Sequence, residues 1–561
     1  MLTKHCELPF DRLRVPSEAE GRIANCDFHS RRHFDSTAGL CSSRSLSATQ
    51  PEFCQPALVE ENSQFAIRNS QWSLIVTLSL ISILFGGCTS GVDFPAVSLS
   101  EAARSAGAMA AYDANKDGRA DFFLFANEQG RVNRIGYSRP DGSSPDDIIN
   151  LDTIPFSRCR HLVLILDGFC HDVIEQFYDQ GHLRVCHSPS RIISPYPTLT
   201  DLALEDELGY IPCRAFEALY YDRKVNKMVG GSWDYLRGVN EPYNQLLQYR
   251  ANTIWDVAGY VEPWPVFKKE VNDSLRLFRK RQTQEVLAYY VSSAGVGTSQ
   301  GAAGQLQCLE RIEQLVNQVL WETRGLVKIT IMSDHGHSYT NANRIDLESY
   351  LARKGWRLVD SLRQDRDVAY VRFGLVTYAG FSTNQPAELA ADLIAADGVD
   401  IASYIQRDAV VVLGSGRGQA VIEERSGRFR YRMIDGGDPL KLKEVLATLA
   451  ADADGYYDAR ELLAATIKHE YPNPLQRLWR AHYTLAENKP DVIVSLQDGY
   501  YSGARGFAPW VKLASTHGSL NNKNSTAFIM SSAGPLPDYM RALDVPANMK
   551  AMTGADFPMR K

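Results

Sequence analysis

From residue 160 onward, short apolar runs alternate with amphipathic stretches, the pattern of an α/β domain. Four runs read as buried strands. His161–Leu166 ends in Asp167-Gly168, and Glu285–Val291 ends in Ser292-Ser-Ala-Gly. Val327–Met332 ends in Ser333-Asp334-His335-Gly336, and Asp491–Leu496 ends in Gln497-Asp498-Gly499. Polar and glycine residues at the carboxyl ends of central strands are where open α/β sheets place their sites. Between 341 and 490 the pattern is more mixed. Arg407–Leu413, Gln419–Ile422 and Arg428–Arg432, with turns at Gly414 to Gly418 and at Ser426-Gly427, predict a β meander. Helical segments follow near 439–452 and 457–468. This stretch reads as an inserted cap region, and the chain shows no fixed-period repeat.

The N-terminal third has a different texture. Residues 1–66 are polar, carry four cysteines (Cys6, Cys26, Cys41, Cys54) and hold no helical or strand period. They read as a disordered extension or as the product of a start assigned too far upstream. In the second case translation begins at an alternative codon such as Leu58 or Val59, because no methionine intervenes before Met109. Residues 67–88 carry Arg68, an apolar run from Trp72 to Phe85, and Gly86-Gly87-Cys88. The run is shorter than the roughly 20 residues that span a bilayer. A positive flank, a short apolar stretch and small residues at its end form an export signal. Gly86-Gly87-Cys88 resembles a bacterial lipoprotein cleavage box, with Cys88 as the lipidation candidate; an uncleaved anchor helix is the alternative. Either places the remainder outside the cytoplasm, in the cell envelope as a membrane-anchored or periplasmic protein.

Residues 89–110 are Ala/Ser-rich and read as a tether. A small β element, 111–152, then opens with Asp113-Ala-Asn115-Lys-Asp117-Gly118-Arg-Ala-Asp121 and the apolar run Phe122–Phe125. Oxygen ligands at loop positions 1, 3, 5 and 9, with glycine at 6, suit Ca2+. Leu124 stands where an EF-hand needs Glu, so the loop looks more like those that precede strands in integrin-type propeller repeats. A turn without metal is the alternative. A weaker echo follows at Asp141-Gly142 and Asp146-Asp147.

Composition narrows the function classes. The 561 residues, 44% hydrophobic and 22% charged, suffice for one large domain, 153–540, plus an appendage; 541–561 reads as a C-terminal tail. A net charge of −6 gives no basic face for nucleic acid. Five cysteines follow Cys88: Cys159, Cys170, Cys186, Cys213 and Cys308. No C-x-x-C pair occurs among them, which argues against a cysteine metal knuckle. Their odd number leaves at least one thiol without an internal disulfide partner.

Four separated fragments converge on one chemistry. Asp167 follows a strand. Ser194-Pro-Tyr-Pro-Thr198-Leu-Thr200 enters a helix predicted over Asp201–Glu207. Asp334-His335-Gly336 follows another strand, and Thr516-His517-Gly518 lies near the C-terminus. Two carboxylates, an imidazole and a hydroxyl make a mixed O/N metal site. Metal coordination is one way to activate a hydroxyl nucleophile, and a helix N-terminus favours phosphate.

These fragments resemble the type I phosphodiesterase/nucleotide pyrophosphatase branch of the alkaline phosphatase superfamily, over roughly residues 160–535. The resemblance implies an α/β fold: an alkaline-phosphatase-like central sheet flanked by helices, with the inserted cap and the small N-terminal β element. It implies a metal-dependent phosphoester hydrolase with Thr200, rather than Thr198, as nucleophile. One cation, Zn2+ or Mn2+/Mg2+, would be held by Asp167, Thr200, Asp334 and His335, and His517 would serve a second. Tyr220-Tyr221-Asp222-Arg223 resembles the tract after the nucleophile helix. The implied substrate is a phosphorylated small molecule or headgroup.

The sequence departs from that pattern at three positions. Ala294 and Thr298 replace the Asp and His of the second cation site, and Ala203 replaces an Asn that helps hold the phosphoryl oxygen. A degenerate, non-catalytic member that binds a phosphorylated or sulfated ligand or a protein partner is therefore the competing reading. A phosphoryl or phosphoethanolamine transferase would need a multi-helix membrane domain. Cys186-His-Ser-Pro189-Ser190-Arg191 is similar to a sulfatase motif but is out of register by one residue. His337, His171 and His187 read as surface or supporting residues rather than ligands.

Overall fold

The computed structural model describes residues 94, 96–97, 99–138, 145, 147–210, 212–503, 511 and 513–559. The expected extension 1–66, the export segment 67–88 with Cys88, and Asp141, Gly142 and Asp146 lie outside the described residues.

The core sheet has six strands: β1 (Arg160–Leu166), β2 (Ser190–Ile193), β3 (Glu285–Tyr290), β4 (Val327–Ser333), β5 (Thr526–Ser531) and β6 (Tyr539–Arg541). Their order is β3-β1-β4-β5-β2-β6. β3, β1 and β4 are parallel, whereas β5 runs antiparallel to both of its neighbours. Side chains alternate across a strand, and β1 shows why its sequence is continuously apolar. Leu162, Leu164 and Leu166 enter one core with Val173, Phe267 and Leu315. Val163 and Ile165 enter the opposite core with Leu204, Ile529 and Val545. A sheet covered on both faces requires this.

Five helices matter for the site: α1 (His171–Asp179), α2 (Thr200–Glu207), α3 (Thr253–Val261), α4 (Pro263–Lys280) and α5 (Ser292–Glu322). The α/β architecture expected from the alternating pattern is the one observed. α5 is interrupted at Gly301, whose φ of 65° breaks the helical run. Its start corrects one expectation, because Ser292-Ser-Ala-Gly is helix rather than a strand-end loop.

Glu270 of α4 fixes that start. Its buried carboxylate accepts the N–H groups of Val291 at 3.2 Å and Ser292 at 3.3 Å, together with the Ser292 hydroxyl. Burial pushes its pKa up to about 8. A folded-state value above the unfolded one means stability that is complete below the unfolded pKa and declines as pH rises through about 8. The slope is roughly 1.4 kcal/mol per pH unit for one such group. Glu270→Gln keeps the acceptor and removes the titration. Its melting temperature should therefore fall less steeply than the wild type's between about pH 5 and pH 8, measured by calorimetry.

The fourth apolar run belongs elsewhere. Val492–Leu496 lies inside a separate nine-stranded sheet, between Tyr378–Thr383 and Val399–Gln406, and pairs antiparallel with both. That sheet contains the expected meander as Ala409–Gly414, Gly418–Arg425 and Arg428–Met433. The helix expected near 439–452 shrinks to Lys443–Leu446, and the one near 457–468 spans Ala459–Thr466.

Two flanking segments are more ordered than their composition suggests. In the expected tether, Ala96–Val97 is a strand and Ser100–Ala106 a helix. The small β element pairs with Ala96–Val97 to complete a five-stranded sheet, and it shares the core of the main sheet through Tyr112, Phe122, Leu124 and Ile135. The expected tail contains the helix Val545–Thr553, with Val545 and Met549 in the second core. All five cysteines after Cys88 are free and buried.

Candidate metal centre

Three chain segments leave the same edge of the core sheet. β1 ends at Leu166 and delivers Asp167; β4 ends at Ser333 and delivers Asp334 and His335. β2, antiparallel to β5 as β4 is, ends at Ile193 and feeds the loop that reaches Thr200, the first residue of α2. Short bonds hold these ends together. The Gly168 N–H donates to Asp334 Oδ1 at 2.9 Å, and the Ser194 hydroxyl donates to the Asp334 carbonyl at 2.5 Å. The Ser293 hydroxyl donates to the Asp167 carbonyl at 2.9 Å.

Asp167, Asp334 and His335 are buried, and one ligand atom of each lies within 4.8 Å of the others. His335 Nε2 is 3.5 Å from Asp167 Oδ1, 3.5 Å from Asp334 Oδ2 and 3.2 Å from Thr200 Oγ1. Thr200 Oγ1 is 3.5 Å from Asp167 Oδ1. A tetrahedron around a cation with bonds of about 2.0–2.1 Å has edges of about 3.3–3.4 Å, close to these four separations. The remaining atoms of these residues are committed elsewhere. Asp167 Oδ2 accepts the Tyr289 hydroxyl at 2.6 Å. Asp334 Oδ1 accepts two N–H groups, while Asp334 Oδ2 is buried with no hydrogen-bond partner among the described residues. His335 Nδ1–H donates to the Gly336 carbonyl at 3.0 Å, which leaves Nε2 with its lone pair.

The electrostatics favour a positive charge at this point. Burial, and then the neighbouring Asp334, holds the Asp167 carboxyl well above the usual range. Burial also raises Asp334, and it lowers His335 to about 4, so the imidazole is neutral at any working pH. Two buried carboxyls without a compensating cation are unfavourable as anions. A divalent ion at the shared focus removes that penalty.

Thr198 and Thr200 have different environments. Thr198 is buried, its hydroxyl accepts the Gly518 N–H at 2.8 Å, and its carbonyl accepts His517 Nδ1–H at 2.8 Å. Thr200 is half-buried and begins a helix whose N-terminus has no side-chain cap. His517 is brought to the same place. Its ring stacks on His335 with centroids 3.9 Å apart and planes 16° apart. The nine-stranded sheet holds its loop: the Thr377 N–H donates to the His517 carbonyl at 2.7 Å, and Ser495 Oγ accepts the Leu520 N–H at 3.0 Å.

Comparison with known proteins gives only distant structural alignments. The sequence matches no protein-family model and no curated protein. Among solved structures, murine ectonucleotide pyrophosphatase/phosphodiesterase 5, in an inactive form in complex with AMP, aligns at 12% identity and a TM-score of 0.37. The alignment covers 72% of this chain and 97% of that one. The human protein of the same name aligns at 12% identity and a TM-score of 0.38, over 72% and 96%.

One residue of the site escaped the sequence reading. Tyr289 orients Asp167; it lies in a recognised strand, and only its position opposite β1 reveals the role. Of the two roles expected for His337, surface or supporting, the structure shows the second, the ring being fully buried beside the centre. Its spacing of two from His335 is the signal, since alternate residues of extended chain share a side. His171 is buried as well. Ala294 and Thr298 lie buried in the first part of α5. Asp113, Asn115, Asp117 and Asp121 form a loop whose side chains accept its own amides. Asp113 takes the N–H groups of Lys116 and Gly118, Asp121 those of Ala114 and Asn115, Asn115 that of Asp117, and Asp117 that of Arg119.

Proposed function

We propose that this chain is a metal-dependent phosphoester hydrolase of the alkaline phosphatase superfamily, acting outside the cytoplasm with Thr200 as nucleophile. The observation that carries the reading is that donor oxygens of Asp167, Thr200 and Asp334 all lie 3.2–3.5 Å from His335 Nε2, close to the edge length of a tetrahedral cation site. A divalent cation bound there supplies a Lewis acid that lowers the proton affinity of a bound hydroxyl and polarises a phosphoryl oxygen. The chain does the rest. Tyr289 and the two amides on Asp334 fix the carboxylates, Gly336 fixes the His335 tautomer, and α2 presents its first amides beside Thr200. Such amides favour an anionic phosphoryl group. Thr200 Oγ attacks phosphorus as the ester oxygen leaves, and water then cleaves the Oγ–phosphorus bond to regenerate the hydroxyl.

Hydrolysis of p-nitrophenyl phosphate and bis-p-nitrophenyl phosphate with added zinc or manganese tests the reading and separates monoesterase from diesterase. No release of p-nitrophenol from either, with zinc bound, would reject catalysis. Ala294 and Thr298 favour the second reading in that case: a member that binds a phosphorylated ligand without turnover.

Export and membrane anchoring belong to the same proposal and rest on residues 67–88 of the sequence. Among the described residues no helix is long and apolar enough to cross a membrane. A calcium ion in the 113–121 loop is a further part of it, supported by the sequence positions of Asp113, Asn115, Asp117, Gly118 and Asp121. Millimolar calcium should then raise the melting temperature, and chelation should reverse the rise; no change in either direction would reject calcium there.

A further inference from the structure

Away from the centre, at the first turn of α1, a buried imidazole nitrogen faces two carboxylates without bonding to either. His171 is the first residue of α1 and is 3% exposed. Its Nε2–H donates to the Pro189 carbonyl at 3.4 Å, which leaves the lone pair on Nδ1. Nδ1 is fully buried and has no hydrogen-bond partner among the described residues. It lies 3.9 Å from Asp172 Oδ1 and 3.8 Å from Glu175 Oε2. A shared proton bridges nitrogen and oxygen about 2.7–3.2 Å apart, so these separations are too long for one. Ligand atoms around a tetrahedral cation with bonds of about 2.0–2.1 Å stand about 3.3–3.4 Å apart, which is nearer to what is seen.

Helix geometry produces the cluster. Glu175 stands four residues after His171 and three after Asp172, spacings that make side chains neighbours on one helix face. The three donor atoms lie within 4.8 Å of one another. A positive group already marks their focus. Arg191 of β2 places Nη2 3.3 Å from Asp172 Oδ1 and 3.7 Å from Glu175 Oε2, the same two oxygens that face the imidazole. The guanidinium meets the oxygens and leaves Nδ1 unpaired. A metal ion would satisfy all three. A histidine whose other nitrogen is anchored on a carbonyl is the usual metal-ligating arrangement, and imidazole with carboxylates suits zinc better than calcium or magnesium.

We propose that His171 Nδ1, Asp172 Oδ1 and Glu175 Oε2 bind a divalent cation of the zinc class, with Arg191 turned out toward solvent and water completing the shell. Closing the donors on the ion takes shifts of about 1 Å or less, mostly in the two exposed carboxylates. This site shares no ligand with the Asp167 centre and does not rest on the function proposed above.

Zinc alone is the probe. The full chain is dialysed against micromolar zinc, and bound zinc is counted in wild type, Glu175→Gln and Asp172→Asn. Both substitutions fall on exposed side chains, so the fold is not at risk. Wild type should hold one zinc more than either variant, whatever the Asp167 centre holds. His171→Gln should lose the same ion, with a melting curve to establish that it is folded. Arg191→Met removes the competing positive charge and should tighten binding of that ion by about ten-fold or more. Equal zinc in wild type and Glu175→Gln overturns the site. Zinc retained in folded His171→Gln overturns it too, because the imidazole would then have no part in binding. Unchanged or weaker binding in folded Arg191→Met would place the ion away from the shared focus and overturn the geometry.

Discussion

Replacing Thr200 by alanine is expected to reduce p-nitrophenyl ester turnover by roughly a thousand-fold or more, because the bond-forming atom is removed rather than weakened. Little else should change. Thr200 is half-buried at the first position of α2, so the lost methyl and hydroxyl leave no sealed cavity, and such substitutions are usually within about 0.5 kcal/mol. Asp167, Asp334 and His335 remain, so zinc should still bind. The informative result is therefore a variant that melts like wild type, holds zinc and does not turn over. Thr198→Ala is the contrasting variant. It strips an acceptor from the buried Gly518 N–H, which costs about 1–3 kcal/mol, and its effect should appear first in stability. Unchanged turnover in Thr200→Ala would remove Thr200 from the nucleophile role.

Asp334→Asn has the second large effect, and its sign depends on the cation. Asp334 Oδ1 accepts the Gly168 and His335 amides at 2.9 Å each, and an asparagine oxygen can accept both. The other oxygen is buried with no hydrogen-bond partner among the described residues. In chelator the substitution removes a buried ionisable group and should leave the melting temperature equal to or above that of wild type. With zinc the order reverses, because an amide nitrogen stands where the cation needs an anionic oxygen. Zinc affinity should fall by at least about a hundred-fold, and the zinc-dependent rise in melting temperature should disappear. A variant destabilised in chelator and still stabilised by zinc would mean that Asp334 is structural. The paired measurement separates a ligand from a scaffold residue, which activity alone does not.

The legible parts of the site share a local signature. Asp167 and the Asp334-His335 pair each follow an apolar run covered on both faces, and the polar residue after such a run stands at a sheet edge whatever the topology. The helix start at Thr200 was readable because a proline-rich loop followed by acidic residues marks one, whereas the role proposed for Thr200 came from the family resemblance. His517 had no such support, since no comparable strand precedes it. Its position depends on Thr377, just before the strand Tyr378–Thr383 of the other sheet, and on Ser495 within that sheet. Asp491–Leu496 looked like a core strand because an apolar run carries no label for the sheet it joins. The Ala/Ser-rich tether was misread for a related reason: small residues give weak periodicity, yet its Ala103 packs in one cluster with Ala111, Phe123 and Phe125.

By itself the sequence determined which segments become buried strands and which polar residues stand at their ends. Both follow from side-chain alternation and chain direction within a few residues. Only the tertiary structure decided that Val492–Leu496 serves a different sheet, that the N-terminal strands share the main core, and that His337 lies beside His517. Those outcomes depend on contacts between residues far apart in the chain. Their free energy comes from burial and from pairing of polar groups across elements, and no local pattern encodes it.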